Sequence, residues 1–304
     1  MRPRLIFLVG PTASGKTDVS IELAKRINAE IISCDSMQVY RGMDILTSKP
    51  SARDRRRIVH YCVGFIPPSQ EYNVSQFRAR ALKAVKAILR KGKIPLFAGG
   101  TGLYMTVLID GIFQVKAEDE AVRRRLYRAA ERSGSAMLHK RLLRVDPDAA
   151  AKIHPNDTRR IVRALEVFEV TGKPITELQK NRRGLAVDFD VRIFCLDLDR
   201  AELYRRINDR VDMMFERGLI REVKGLLKKK PGKTASAAIG IREVSDYLAG
   251  RASLDDAKEK MKQNTRNYAR RQLTWFRKDT RIEWIPVSPG DTCRGVCKKI
   301  EKRL

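Results

Sequence analysis

Cysteine is sparse and scattered in this 304-residue chain. Its five cysteines, Cys34, Cys62, Cys195, Cys293 and Cys297, are odd in number and form no CxxC pair or Cys/His cluster. That pattern excludes a disulfide framework or a zinc site as the basis of the fold. Long apolar runs are also missing. The run near the N-terminus, residues 5–9, ends at Gly10. It is too short for a signal-peptide core or a membrane span and has the length of a buried strand. Acidic residues are in deficit: 36 Asp+Glu face 63 Lys+Arg, a formal charge of +27. Such a surface excludes an ordinary near-neutral metabolic enzyme as the default and asks for a polyanionic partner, most often nucleic acid. No internal repeat or long linker interrupts the chain. A soluble, reduced, cytoplasmic protein with no membrane segment is expected.

What is present is enough to fold. Apolar residues make up 43% of the chain, so a core can form without disulfides or metals. In the first hundred residues, strands alternate with helices. Apolar runs at 5–9, 31–32 and 94–98 read as buried strands, and the four-residue spacing of apolar side chains marks helices at 16–27 and 74–91. Strand, helix, strand in that order implies parallel strands with right-handed crossovers, with ligands beyond their C-terminal ends. Beta character returns at 191–198 and 282–287, and a long basic helix is expected over 254–277. The expected fold is α/β, a parallel sheet core flanked by helices, with a mostly α-helical insertion. The core is assigned to 1–117 and 190–304, and the insertion to 118–189, which is dense in arginine.

Residues Gly10-Pro-Thr-Ala-Ser-Gly-Lys-Thr17 fit G-x-x-x-x-G-K-[ST] at a strand end and helix start, the context that a P-loop requires. Backbone N–H groups from such a loop converge on phosphate oxygens, Lys16 adds charge, and the Thr17 hydroxyl can ligate Mg²⁺. The general reading is nucleotide binding, ATP or GTP. Yet most P-loop hydrolases carry a metal-holding Asp after a later apolar strand. Here that strand ends in Gly99-Gly100-Thr101, and the carboxylate follows the second strand instead, at Asp35. Asp35 has the placement of a general base facing a phosphate-bearing electrophile, or of a turn-capping Asp before Ser36.

Four further segments carry a specific resemblance: residues 35–45 (Asp-Ser-Met-Gln-Val-Tyr-Arg-Gly-Met-Asp-Ile), Gly99-Gly-Thr-Gly-Leu-Tyr104, the stretch 154–166 around Arg159-Arg-Ile-Val-Arg163, and 265–277 (Thr-Arg-Asn-Tyr-Ala-Arg-Arg-Gln-Leu-Thr-Trp-Phe-Arg). With the P-loop, in this order and essentially end to end, they resemble the tRNA dimethylallyltransferases, the tRNA isopentenyltransferase family. One departure is Ile241, in a segment where that family often has an aromatic.

The resemblance implies transfer of a dimethylallyl group from dimethylallyl diphosphate to the N6 amine of the adenine 3′ of the anticodon in tRNA. Gly10, Thr12, Ala13, Ser14, Gly15, Lys16 and Thr17 would then grip a diphosphate, with Mg²⁺ as cofactor. Asp35 would accept the amine proton, Thr101 would bond near the scissile oxygen, and Arg210 would lie on the pyrophosphate. Asp35, Ser36, Met37 and Gln38 match the segment that reads the adenine, which must be flipped out of its stacked loop to react. Arg159, Arg160, Ile161, Val162 and Arg163 match another tRNA-contacting stretch. Arg266, Arg270 and Arg277 share one stripe of the terminal helix, beside an apolar stripe of Ala269, Leu273 and Phe276, as a phosphate-tracking helix would. The expected partner is the anticodon stem-loop, and the expected state is a monomer. A P-loop kinase of a small metabolite and a prenyltransferase of free adenine nucleotide are the alternatives.

Overall fold

The computed structural model describes residues 2–113 and 119–304. By contact the chain divides into two units, Met1–Ile109 with Asp188–Leu304, and Asp110–Val187. The sequence boundary placed between 117 and 118 falls outside the described residues.

The first unit starts with β1 (Arg4–Val9), α1 (Lys16–Arg26), β2 (Ala29–Ser33), α2 (Ala52–Arg57), β3 (His60–Tyr61), α3 (Val74–Arg90), β4 (Ile94–Gly99) and α4 (Gly102–Asp110). The second unit holds α5 (Glu120–Ser133), α6 (Ser135–Val145), α7 (Pro147–Lys152), α8 (Thr158–Thr171) and α9 (Ile175–Lys180). The chain then returns through β5 (Asp190–Leu198), α10 (Arg200–Glu216), α11 (Leu219–Lys228), α12 (Lys233–Ser236), α13 (Ile241–Leu248), α14 (Leu254–Phe276), β6 (Ile282–Val287) and α15 (Cys293–Glu301).

Among the described residues, six strands form one sheet in the order β3-β2-β4-β1-β5-β6, and every pair is parallel. A parallel sheet needs helices on both faces, which is why its strands read as unbroken apolar runs. The two-residue alternation sends Ile6 and Leu8 into a cluster with Leu23, Ile207 and Ile300 from α1, α10 and α15. Phe7 points the other way and stacks on Phe97 of β4, centroids 4.4 Å apart. Phe77 of α3 stacks on Tyr104 of α4 at 3.8 Å.

The strand order positions the site. The chain builds from β1 toward one edge, returns to insert β4 between β2 and β1, and then adds β5 and β6 on the far side. The C-terminal ends of β1, β2 and β4 are therefore adjacent, and ligands of open α/β sheets bind at such a reversal.

The second unit has its own core of Leu126, Leu138, Leu142, Ile161, Val162 and Leu165. Much of its arginine is committed internally. Glu166, fully buried, takes Arg123 at 3.1 Å and Arg163 at 2.9 Å, and Glu169 takes Arg125 and Arg141. A buried carboxylate left without such partners would be strongly destabilising.

Candidate active site

Gly15 starts α1 in the left-handed region, φ 86°, which lets the P-loop close back on the helix N-terminus. The first-turn amides of α1 lack intrahelical partners and carry the positive end of the helix dipole. Lys16 folds over the loop, its Nζ donating to the Pro11 carbonyl at 2.5 Å and to Ser14 Oγ at 3.4 Å. Burial above all, and then the neighbouring Arg210 guanidinium, bring the Lys16 ammonium down to a pKa of about 8 against smaller opposing effects of Cys195 and Asp35. Burial also lowers the pKa of Arg210, opposed by Asp35. Two desolvated cations facing one carboxylate leave the site short of negative charge.

Asp35 follows β2 and its Oδ1 accepts from the Met37 and Gln38 amides at 2.8 and 3.2 Å. One oxygen is thus spent on the turn, as a capping Asp would spend it. The carboxylate nevertheless lines two cavities. Thr101, beyond β4, also caps: its Oγ1 accepts the Ser36 N–H at 3.0 Å.

The smaller cavity, about 80 Å³, is walled by Thr12, Lys16, Thr17, Ser33, Asp35 and Arg210, among others. The larger, about 270 Å³, has apolar walls from Met37, Leu46, Ile207, Val211, Met214 and Met261. Asp35, Arg210, Tyr268, Thr12 and Thr47 line both. The segment that supplies Leu46 and Thr47 is pinned by Glu222 of α11, whose carboxylate accepts from the amides of Asp44, Ile45 and Leu46 at 2.8–2.9 Å.

The structure thus gathers the P-loop, Asp35, Arg210 and Met37 around two adjoining spaces. Gln38 differs from its sequence reading. Its Oε1 accepts from Ser33 Oγ at 2.8 Å and its Nε2 donates toward the Thr47 and Ser48 carbonyls, so both ends of the amide are engaged within the protein. Ile161 and Val162 also differ. They are 0% and 1% exposed because α8 turns its apolar face into the core of the second unit. Of that stretch, Arg159 and Arg160 are exposed, while Arg163 is tied to Glu166. On α14, Arg270 and Arg277 are exposed, and Arg266 is half-buried, donating to Asn208 at 2.7 Å.

Three residues of α14 that sequence reasoning did not select also belong to the site. Tyr268 lines both cavities, Arg271 lines the larger, and Gln272 lines the smaller. The Gln272 amide accepts from the Thr12 N–H and donates to the Gly100 carbonyl, each at 2.8 Å. A signal existed for Gln272: three residues after Ala269 and four before Phe276, it is a polar side chain on an apolar stripe.

Comparison with known proteins adds an independent line. The IPP transferase family model matches residues 38–279, and an isopentenyl transferase model matches residues 3–58. The chain is 45% identical to a tRNA dimethylallyltransferase of Geobacter sulfurreducens, covering 93% of this chain and 92% of that one. It is 47% identical to the enzyme of that name from Carboxydothermus hydrogenoformans, over 94% and 92%. Among solved structures, the tRNA isopentenylpyrophosphate transferase of Bacillus halodurans superposes with a TM-score of 0.73 at 38% identity, covering 99% of this chain and 98% of that one. A eukaryotic dimethylallyltransferase acting on tRNA superposes with a TM-score of 0.80 at 32% identity, over 93% and 74%. A shared fold, nearly full-length identity and a family model over most of its residues agree: the chain belongs to the IPP transferase family.

Proposed function

We propose that this protein transfers a dimethylallyl group from dimethylallyl diphosphate to the exocyclic N6 amine of the adenine 3′ of the anticodon in tRNA. The observation that carries this reading is the wall shared by the two cavities. A polar space at the P-loop suits a diphosphate, an apolar space suits a prenyl chain and a base, and Asp35 and Arg210 stand on the wall between them.

In this reaction the allylic C–O bond breaks, a C–N bond forms, and one amine proton must leave. Adenine's amine is a poor nucleophile, so charge growing on the leaving pyrophosphate has to be neutralised as the bond breaks. Lys16, the amides from Ala13 to Lys16, and Arg210 supply positive charge there. Asp35 takes the proton; with Oδ1 held by two amides, its other oxygen is the acceptor. Thr101 offers its hydroxyl hydrogen to the oxygen of the breaking bond while its oxygen keeps the Ser36 N–H. Ser36 and Met37 border the flipped base, and Gln38 braces the 47–48 segment beside it through the Thr47 and Ser48 carbonyls.

Thr17 is the protein ligand this reading assigns to Mg²⁺. It lines the diphosphate cavity, and among the described residues no group of three His, Cys, Asp or Glu forms a protein-built metal cage. A single hydroxyl suits an ion that keeps its waters and leans on substrate phosphates. When bound, the ion would offset charge on the diphosphate oxygens.

Exposed Arg159, Arg160, Arg270 and Arg277 are assigned to tRNA phosphates, and the second unit, Asp110–Val187, to tRNA contact. We also assign the protein a cytoplasmic location and a monomeric state, the latter to be checked by sedimentation. No helix among the described residues is long and apolar enough to cross a membrane. A small-metabolite kinase has no use for the apolar cavity, and an enzyme for free adenine nucleotide has none for the exposed arginines.

The test is mass spectrometry of a tRNA anticodon loop after incubation with the protein, dimethylallyl diphosphate and Mg²⁺. One added isopentenyl unit on that adenine is expected. An unmodified loop, with prenylated AMP or a phosphorylated small molecule in parallel reactions, would overturn the reading.

A further inference from the structure

We propose that Gln272 is a positioning residue of this site, holding the P-loop and the Thr101 loop in one register through its side-chain amide. The inference rests on the function proposed above and assigns a role that the transfer chemistry itself does not use.

Gln272 sits on the inward face of α14, 6% exposed, between Ala269 and Phe276, both fully buried. Its two ends cannot be exchanged. The Thr12 N–H can only donate, so it meets Oε1, and the Gly100 carbonyl can only accept, so it meets Nε2. Thr12 lies in the P-loop four residues before Lys16, and Gly100 immediately precedes Thr101. One amide therefore ties together two neighbouring loops that both line the polar cavity, which Gln272 itself lines.

The fit is close enough to dictate sequence. A Cβ on Gly100 would lie 2.1 Å from Gln272 Nε2, and a Cβ on Gly102 would lie 2.3 Å from the Trp275 ring. The donor also has an electrostatic use. A carbonyl oxygen at the edge of a phosphate cavity repels an anion unless a hydrogen-bond donor holds it, and Nε2 holds that of Gly100. Gln272 thus acts through the P-loop amides and Thr101, not on the reacting atoms.

Two variants of the full chain test this, Gln272→Met and Gln272→Glu. Methionine keeps volume and loses both bonds. We expect kcat/KM for dimethylallyl diphosphate to fall by about 10- to 100-fold, as for a small misplacement of reacting groups. The Kd for the tRNA stem-loop should stay within about twofold of wild type, because the exposed arginines of α14 are untouched. Glutamate keeps the bond to Thr12 but sets an oxygen against the Gly100 carbonyl. Protonation restores a donor there, so its activity relative to wild type should rise from about pH 8 to about pH 6.

Kinetic constants of Gln272→Met within about twofold of wild type would overturn the proposal. So would a tRNA Kd that rises in step with the loss of kcat/KM. If Gln272→Met fails to fold, the pH ratio of Gln272→Glu decides, with folding followed by circular dichroism, and a flat ratio overturns the proposal. Should wild type not prenylate tRNA, the proposed function fails instead. Inorganic pyrophosphate binding then reads the positioning role, and equal affinity of wild type and Gln272→Met overturns it.

Discussion

At the end of β1, Gly15 turns the chain through a left-handed conformation with open space beside it; the nearest atom to an added Cβ is Arg206 Nη1 at 3.9 Å. At the end of β4, Gly99, Gly100 and Gly102 have no positive φ, yet added Cβ atoms would lie 2.2 Å from the Cys34 oxygen, 2.1 Å from Gln272 and 2.3 Å from Trp275. The first turn uses glycine for conformation, so that amides can point at a ligand. The second uses glycine for proximity, so that β2 and α14 can approach. Two glycine-rich strings that look alike in sequence are thus a cradle and a socket, with Asp35 standing between them.

Four substitutions or titrations put the cradle and the socket to the test. The largest effect belongs between the turns. Asp35→Asn keeps an oxygen for the Met37 and Gln38 amides, so melting should barely move. Prenyl transfer should nonetheless fall by about 10²- to 10⁴-fold with tRNA Kd unchanged. Wild-type turnover in single-turnover kinetics would remove the base role. Next comes the socket: Gly99→Ala should cost about 3 kcal/mol or more in urea unfolding, because the clash is with backbone that cannot swing aside. A midpoint equal to wild type would show that β4 can retreat.

The cradle should suffer less in stability. Gly15→Ala should cost about 1–2 kcal/mol for the left-handed alanine, and its defect should appear mainly as weaker pyrophosphate binding in calorimetry. Unchanged affinity would mean that the amides can adjust. The smallest effect concerns Lys16. Its lowered pKa of about 8 means that charge is lost as pH rises through that value. Pyrophosphate affinity should therefore fall by at most about tenfold between about pH 7 and pH 9, relative to Lys16→Met, which carries only the ligand's own titration. Identical pH dependence in the two proteins would show that Lys16 is charged throughout.

The strands that position the site were legible because a parallel sheet buries both faces: the runs at 5–9, 94–98 and 191–198 lie within β1, β4 and β5. The two-residue β3 at His60–Tyr61 was not, being too short to show any period. The P-loop could be read because its spacing and its strand-to-helix context are both local. Gln38 could be read by type but not by use, since Ser33, Thr47 and Ser48 claim its amide through contacts that tertiary structure creates. Ile161 and Val162 show the cost of treating five consecutive helical residues as one surface, when a helix must turn part of them inward. For Gln272 the stripe was visible, but its partners lie too far away in sequence for spacing to suggest them.

That distance has a consequence for synthesis. The Thr12 amide and its acceptor are 260 residues apart. At translation rates of about 5–20 residues per second, roughly 13 to 52 s pass between the emergence of the P-loop and that of Gln272. Throughout that interval the nascent chain has its cradle sequence but no amide to join Thr12 to Gly100. The cradle is made long before the helix that completes it, and a ribosome that stalls before α14 leaves a protein with an intact motif and an unfinished pocket.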